Sequence, residues 1–285
     1  MTDRLQGSDL RGVRPHLWPV PPALPLRYTE RAPDAALGEW ILSYWHFAAD
    51  AAPPEGAPYT VMPDGCTSVA VLRLPSVPPM LVCIGPRATS FRPGIVPGMQ
   101  LAGIRLWPDA TRAVLGVPPT ILRDVQGPAP ATIAGRVASL LDLARDTSDA
   151  EAMFAALAAW AAVACRAAEP PEPRVRRAVR AIAVARGELS LAAVASAAQA
   201  SSRQLQRLFP EATGLTVSEF ARIRRLRESL AMRLASETAH WSRIAAERGF
   251  TDHAHLTREF LALAGVPPSE VARQLARIEH RDVTP

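Results

Sequence analysis

The chain has 285 residues, 48% of them hydrophobic and 21% charged, with a net charge of +5. That balance excludes a disordered or fibrous protein and supplies enough apolar side chains for two cores. The longest apolar run, around residues 152–168, is alanine-rich and at about 17 residues is marginal for a bilayer span, so no membrane association is expected. Its opening residues, MTDRLQGSDLRG, lack the apolar stretch of a secretory signal. Cys66, Cys83 and Cys165 are too few and too irregularly spaced for a disulfide framework, and a reducing cytoplasm is the expected setting.

In chain order, β-rich runs come first between proline and glycine punctuation: Glu39–Phe47, Thr67–Leu74, Met80–Gly85 and Met99–Trp107. They predict a small antiparallel sheet or barrel. Trp40, Tyr44, Trp45, Tyr59 and Trp107 can either fill its core or line a ligand pocket. Arg87 and Arg105 either meet an anionic effector or pair with Asp64 or Asp109 in a structural network. Asp64 and Cys66, joined by His46 or Cys83, have no metal-ligand spacing, and a buried structural thiol is the expectation. Neither a metal nor a cofactor is implied. A period of 3.6 then predicts one helix after Thr132, with Ile133, Val137, Leu140, Leu141 and Ala144 on one face, and a second from about Ala150 to Ala167. These two pack on the sheet or against a second subunit.

The stretch Ala168–Arg174, AEPPEPR, reads as a stiff linker. Before it, residues 1–170 carry 14 arginines against 15 acids; after it, 18 arginines face 12 acids, so the positive excess is all C-terminal. This basic half contains an internal repeat. LQRLF at Leu205–Phe209 matches LTREF at Leu256–Phe260 at an offset of 51, and at that offset Val194 meets Ala245, Ala195 meets Ala246, Gly214 meets Gly265 and Ser218 meets Ser269. Each copy reads as helix, tight turn, helix. Ser190 and Ser201 cap the first pair, and Thr251 or Asp252 caps the second helix of the second copy. Outward faces carry Arg203, Gln204, Gln206 and Arg207 in one unit and His253, His255, Thr257 and Arg258 in the other. Between the copies, Thr216-Val-Ser-Glu219 is a capping box that opens a helix of about 28 Å, long enough to set two reading helices near successive turns of a major groove.

Arginine can grip guanine, glutamine adenine and threonine the thymine methyl, so Arg203, Gln206, Arg207, His253, Thr257 and Arg258 suit base edges. Arg222, Arg224, Arg225, Arg227 and Arg233, with Arg174, Arg176, Arg177 and Arg180, suit phosphates or form a solvated helix face. No P-loop, zinc-binding His pair or nucleophile elbow occurs, and an enzyme is not expected.

Over about residues 175–277 the chain resembles the AraC/XylS family of transcriptional regulators, through SSRQLQRLFPEATGLTVSEFARIRRL and IAAERGFTDHAHLTREFLALAGVPPSEV. The resemblance implies base reading at Arg203, Gln206, Arg207, His253, Ala254, Thr257 and Arg258, and phosphate contacts are expected at Ser201, Arg224, Arg225 and Thr251. It departs at Gln199, where the family usually has glycine, and at Pro210. VMPDGCTSVAV, CIGPRATSF and AGIRLWPDATRAVLG resemble the uncharacterised input domains of a subset of that family. The expected fold is therefore α+β: a sheet-rich, barrel- or cupin-like domain (1–130), a helical linker or dimerisation segment (131–168), and an all-α domain with two helix-turn-helix units joined by a long helix (169–285). Expected partners are double-stranded DNA, a small-molecule effector near Trp40, Trp45, Asp64, Arg87, Arg105 and Trp107, a second copy in a homodimer, and RNA polymerase if the protein activates. Rival readings are an enzyme-like N-terminal module targeted to DNA and a ligand-independent dimerising regulator.

Overall fold

A computed structural model describes residues 26–50, 60–145, 147, 149–236, 239–275 and 279–282; Tyr59 lies outside them. Seven strands form one sheet in the order β6-β4-β3-β5-β2-β1-β7. They are β1 (Leu26–Arg31), β2 (Ile41–Ala49), β3 (Thr67–Leu74), β4 (Val77–Ile84), β5 (Gln100–Leu106), β6 (Gln126–Pro128) and β7 (Glu279–Asp282). The first six pair antiparallel, whereas β7, from the far end of the chain, lies parallel to β1. The four predicted strands are present. Strands β1, β6 and β7 were not foreseen, because LRYTER is mostly polar and the other two are only three and four residues long.

Side chains alternate across this sheet with the period of two that extended backbone imposes. Tyr44, Val69, Val71, Cys83, Ala102, Ile104 and Leu106 face one core, and Tyr28, Trp45, Phe47, Ala70 and Val82 face the other. Gly103 lets the second face close up: a Cβ there would sit 2.7 Å from both Ala70 Cβ and the Trp45 ring. Against the first face lie α2 (Ala131–Ala144) and α3 (Ala150–Arg166), reached through the short α1 (Thr111–Leu115). Ile133, Val137 and Leu140 of α2 and Phe154, Leu157 and Trp160 of α3 are buried there. Of the two expectations for these helices, packing on the sheet is what the structure has.

The C-terminal half is helical: α4 (Pro173–Val184), α5 (Leu191–Ala198), α6 (Ser202–Thr213), α7 (Val217–Ala235), α8 (Trp241–Glu247), α9 (His253–Ala264) and α10 (Pro268–Leu275). Its apolar interior, including Val179, Leu205, Phe209, Phe220, Ile223, Leu256 and Phe260, is continuous with the helix-side core of the sheet. The repeat is visible as α5–α6 and α8–α9, with one correction. Ala200 N–H donates to Ala195 in the first turn and Phe250 N–H to Ala245 in the second, and the N-caps of α5 and α8 are Ser190 and His240. The first helices therefore correspond at an offset of 50, the reading helices at 51, and the second turn is one residue longer.

Gln199 ends α5 in the left-handed region (φ 54°, ψ 46°), a conformation that costs a non-glycine residue about 1 kcal/mol. Gln199→Gly is expected to raise the thermal midpoint of the full chain by a few degrees. An unchanged or lower midpoint would show that the glutamine side chain compensates for its backbone.

Candidate nucleic-acid interface

The two reading helices are built on matching caps. In α6, Ser201 accepts from Gln204 N–H (3.2 Å) while the Gln204 side-chain oxygen accepts from Ser201 N–H (3.0 Å). In α9, Asp252 accepts from His255 N–H (2.6 Å), and His255 Nδ1 accepts from Thr251 N–H (3.2 Å). Each helix is thus fixed at its N-terminus, where exposed N–H groups and the helix dipole favour a phosphate. Gln204 and His255 serve these caps, which reduces their freedom to read bases. Leu205 and Phe209 in α6, and Leu256, Phe260 and Leu263 in α9, are buried and set the opposite faces outward.

On those outward faces Arg203, Gln206, Arg207, His253, Ala254 and Arg258 are exposed, and Thr257 is half-buried. Arg207 has a loose pairing with Glu211 at 3.7 Å, of the exposed i,i+4 kind that contributes only about 0.3–0.5 kcal/mol. Thr257 donates its hydroxyl to the His253 carbonyl (2.9 Å). Glu259, on the side of α9, accepts from Arg222 Nε of α7 at 2.7 Å, tying the second reading helix to the joining helix. The pair was not singled out from the sequence.

Many of the arginines expected at phosphates are engaged inside the molecule. Arg224 is only 5% exposed and pairs with Glu228 at 2.9 Å, so it offers nothing to a phosphate on the surface; it lies with Asp64, Cys66 and Arg105 against the sheet domain. Arg227 is 4% exposed and donates to the Pro63 carbonyl. Arg225 is half-buried, its guanidinium 4.9 Å from the Phe250 ring centroid. On α4, Arg176 pairs with Asp109 (3.2 Å) and Glu39 (2.9 Å), Arg177 donates to the Ala198 carbonyl, and Arg174 pairs with Glu172. Arg180 stacks 3.5 Å from the Trp107 ring centroid, and burial lowers its pKa to about 10. Ser201, Thr251 and the exposed reading faces keep their access to solvent.

Residues 194–274 match a family described as a helix-turn-helix domain, and residues 29–128 match a domain of unknown function, DUF6597. The C-terminal part of the chain is a helix-turn-helix domain of the AraC type. No curated protein matches the chain. Among solved structures, ToxT from Vibrio cholerae O395 is similar at 10% identity and a TM-score of 0.42, over 90% of this chain and 99% of that one. Unsaturated fatty acid bound ToxT from strain SCE256 is similar at 10% identity and a TM-score of 0.41, over 90% and 98%. So loose a superposition carries no correspondence between residues.

The sheet domain meets the helix-turn-helix domain through a buried polar cluster. Arg105 of β5 pairs with Glu30 of β1 (2.6 Å) and with Asp64 (2.8 Å), and Ser43 of β2 donates to Glu30. Glu30, Ser43 and Arg105 share the sheet face that carries Trp45, by register and alternation. Burial pushes the Glu30 carboxyl up to about 7 against the pull of Arg105. Burial, then Asp64, also raises the Cys66 thiol far above its ordinary range. Arg224 and Arg227 of α7 close this end, with Phe220 packed against Gly65.

The other end of the same face is apolar. A cavity of about 130 Å³ is lined by Tyr28, Trp45, Phe47, Val82, Phe91, Ile95 and neighbours, with no charged side chain among the described residues. Trp45 buries its indole N–H without an acceptor among them. The six expected effector residues are accordingly dispersed. Trp45 lines the cavity; Asp64 and Arg105 belong to the interdomain cluster; Trp40 and Trp107 pack on the helix side; and Arg87 lies 4.4 Å from the Phe91 ring centroid. Of the alternatives for Arg105, the structural network with Asp64 is the one observed.

Proposed function

We propose that this chain is a cytoplasmic, sequence-specific transcriptional regulator that reads DNA with α6 and α9 and responds to a small molecule held by its sheet domain. One observation carries the reading: two repeated helices with matching N-terminal caps present Arg203, Gln206 and Arg207, and His253 and Arg258, on exposed faces joined by a 19-residue helix. Such a rod is about 28 Å long, close to the repeat of the major groove. Arginine and glutamine supply the bidentate donors that base edges demand, while Ser201 and Thr251 orient the domain on phosphates. Homodimerisation brings two such domains to one operator, and an activating complex meets RNA polymerase there. The apolar cavity supports the effector reading, since small-molecule sites are mostly apolar concavities with few polar groups.

Selection from randomised duplex DNA at physiological salt tests this. The full chain is expected to enrich two short motifs about one helical turn apart. Residues 171–285 alone are expected to enrich the same pair. Enrichment by the fragment but not the full chain would mean that the sheet domain holds the readers back. No motif from either would overturn sequence-specific readout.

A further inference from the structure

One stretch of chain belongs both to the cavity and to the second reading helix. Residues 85–99 connect β4 to β5, and within them Phe91, Pro93, Ile95 and Met99 form a wall of the cavity. The stretch is anchored to the sheet domain at three places, the first where Gly85 N–H donates to the Val125 carbonyl and the Pro86 carbonyl accepts from Asp124 N–H. Phe91 and Val61 exchange backbone hydrogen bonds of 2.8 and 3.2 Å, and Ala49 is bonded to both Gly98 and Met99. Ser90, the residue before Phe91, turns the other way: its N–H donates to the Leu263 carbonyl (2.7 Å) and its hydroxyl to the Ala264 carbonyl (2.9 Å). Those carbonyls belong to the last turn of α9, where a helix has no partners of its own to offer. Ser90 is therefore a C-terminal cap supplied to the DNA-reading helix by the sheet domain.

We propose that residues 85–99 are a strap that transmits occupancy of the cavity to α9, and that the occupant is an uncharged, mainly hydrocarbon molecule about the size of one aromatic ring. The proposal rests on reading the sheet domain as the effector-binding part. The occupant's class follows from a lining without charged groups and from the volume: an apolar cavity of roughly 150 Å³ takes up benzene. At about 130 Å³ this one must expand slightly to do so. Three of its walls are strands locked into a continuous ladder, whereas the strap is held to the sheet domain at residues 85–86, by an isolated bridge at Phe91 and at residues 98–99, and makes no backbone hydrogen bond to a strand between these points among the described residues. The strap is the wall that yields. Movement of Phe91 passes directly to Ser90 along the chain, and hydrogen bonds weaken steeply as the donor tilts away from its acceptor. Release of the cap then loosens α9, whose remaining tie to α7 on this side is the Glu259–Arg222 pair.

Amide hydrogen exchange on the full-length protein tests the strap, with benzene as the probe. Benzene is expected to slow exchange at Val82 and Leu101 and to speed it at least fivefold at Ser90 and residues 263–265, leaving α6 unchanged. Phe91→Ala, and the milder Ser90→Ala, are expected to accelerate the same α9 amides without benzene. Protection of the cavity with no change in α9 overturns the strap but leaves the effector reading intact. Conversely, α9 amides that respond to both variants while benzene protects nothing uphold the strap and overturn the assigned occupant. Wild-type rates in α9 for both variants overturn the strap whatever benzene does.

Discussion

Asp64→Asn is expected to destabilise the full chain by about 3–5 kcal/mol, the usual cost of removing one partner from a buried charge cluster. The effect follows from the charges that meet between the domains. Arg105, Arg224 and Arg227 are each at most 5% exposed, and the acids near them are Glu30, Asp64 and Glu228. Burial pushes the Glu30 pKa up to about 7 against the pull of Arg105. Asp64 stands 2.8 Å from Arg105 Nε at this junction and also acts on Arg227. Neutralising it removes one of the three carboxylates that balance Arg105, Arg224 and Arg227 and leaves Glu30 and Glu228. Removing one of the guanidinium groups should relieve the imbalance, so Arg227→Met in the Asp64→Asn background is expected to restore part of the loss. Urea unfolding of the wild type, both single variants and the double variant gives the coupling directly. Additive effects would mean that Asp64 and Arg227 do not feel each other and that α7 is held by its apolar contacts alone. Because α7 joins the two reading helices, the same variants should also loosen the geometry with which the domain meets DNA.

What the sequence disclosed and what it concealed divide along physical lines. Local signals survived intact: Thr216 and Glu219 form the capping box read from their spacing, Asp252 caps α9, and the alternation in Thr67–Leu74 became β3. These depend on neighbours within four residues. The cap role of Gln204 was legible in the same way, as the fourth residue of Ser201-Ser-Arg-Gln, but the sequence reading placed it only on the outward face. Charge was the misleading signal. RIRRLR reads as a cationic surface, yet helical geometry turns Arg224 and Arg227 onto the sheet domain while Arg222 and Arg225 lie beside α9 and Phe250. No pattern within the run distinguishes a phosphate contact from an interdomain ion pair; that depends on Asp64 and Pro63, about 160 residues away. Ser90 was invisible for a related reason, since its partners Leu263 and Ala264 lie at the other end of the chain. The effector residues scattered because the sequence suggested a ligand site from aromatic and arginine content, whereas alternation sends Trp45 and Tyr44 to opposite faces of the sheet.

Arg258→Ala is expected to weaken binding to the selected operator by about 1–3 kcal/mol, roughly 5- to 150-fold, while changing affinity for unrelated duplexes far less. Arg258 is exposed on α9 and stands in no ion pair among the described residues, so its removal disturbs no internal partner and the loss reports DNA contact alone. Arg207 occupies the equivalent place on α6, offset by 51 residues, and its exposed pairing with Glu211 is weak enough to give way to a base. Arg207→Ala should therefore degrade the other half-site by a similar factor. The reading helices are separated by a rod of about 28 Å, beyond the distance at which independent sites couple, so the double variant should lose close to the sum of the two. Fluorescence anisotropy over a series of salt concentrations decides between two roles for each arginine. A base reader loses affinity selectively, with a nearly unchanged salt slope. A phosphate clamp loses it on every sequence and lowers the slope by about one counterion. If both variants behave as clamps, specificity must come from Gln206, His253 and the shape of the groove, and the two helices would position the domain without spelling its operator.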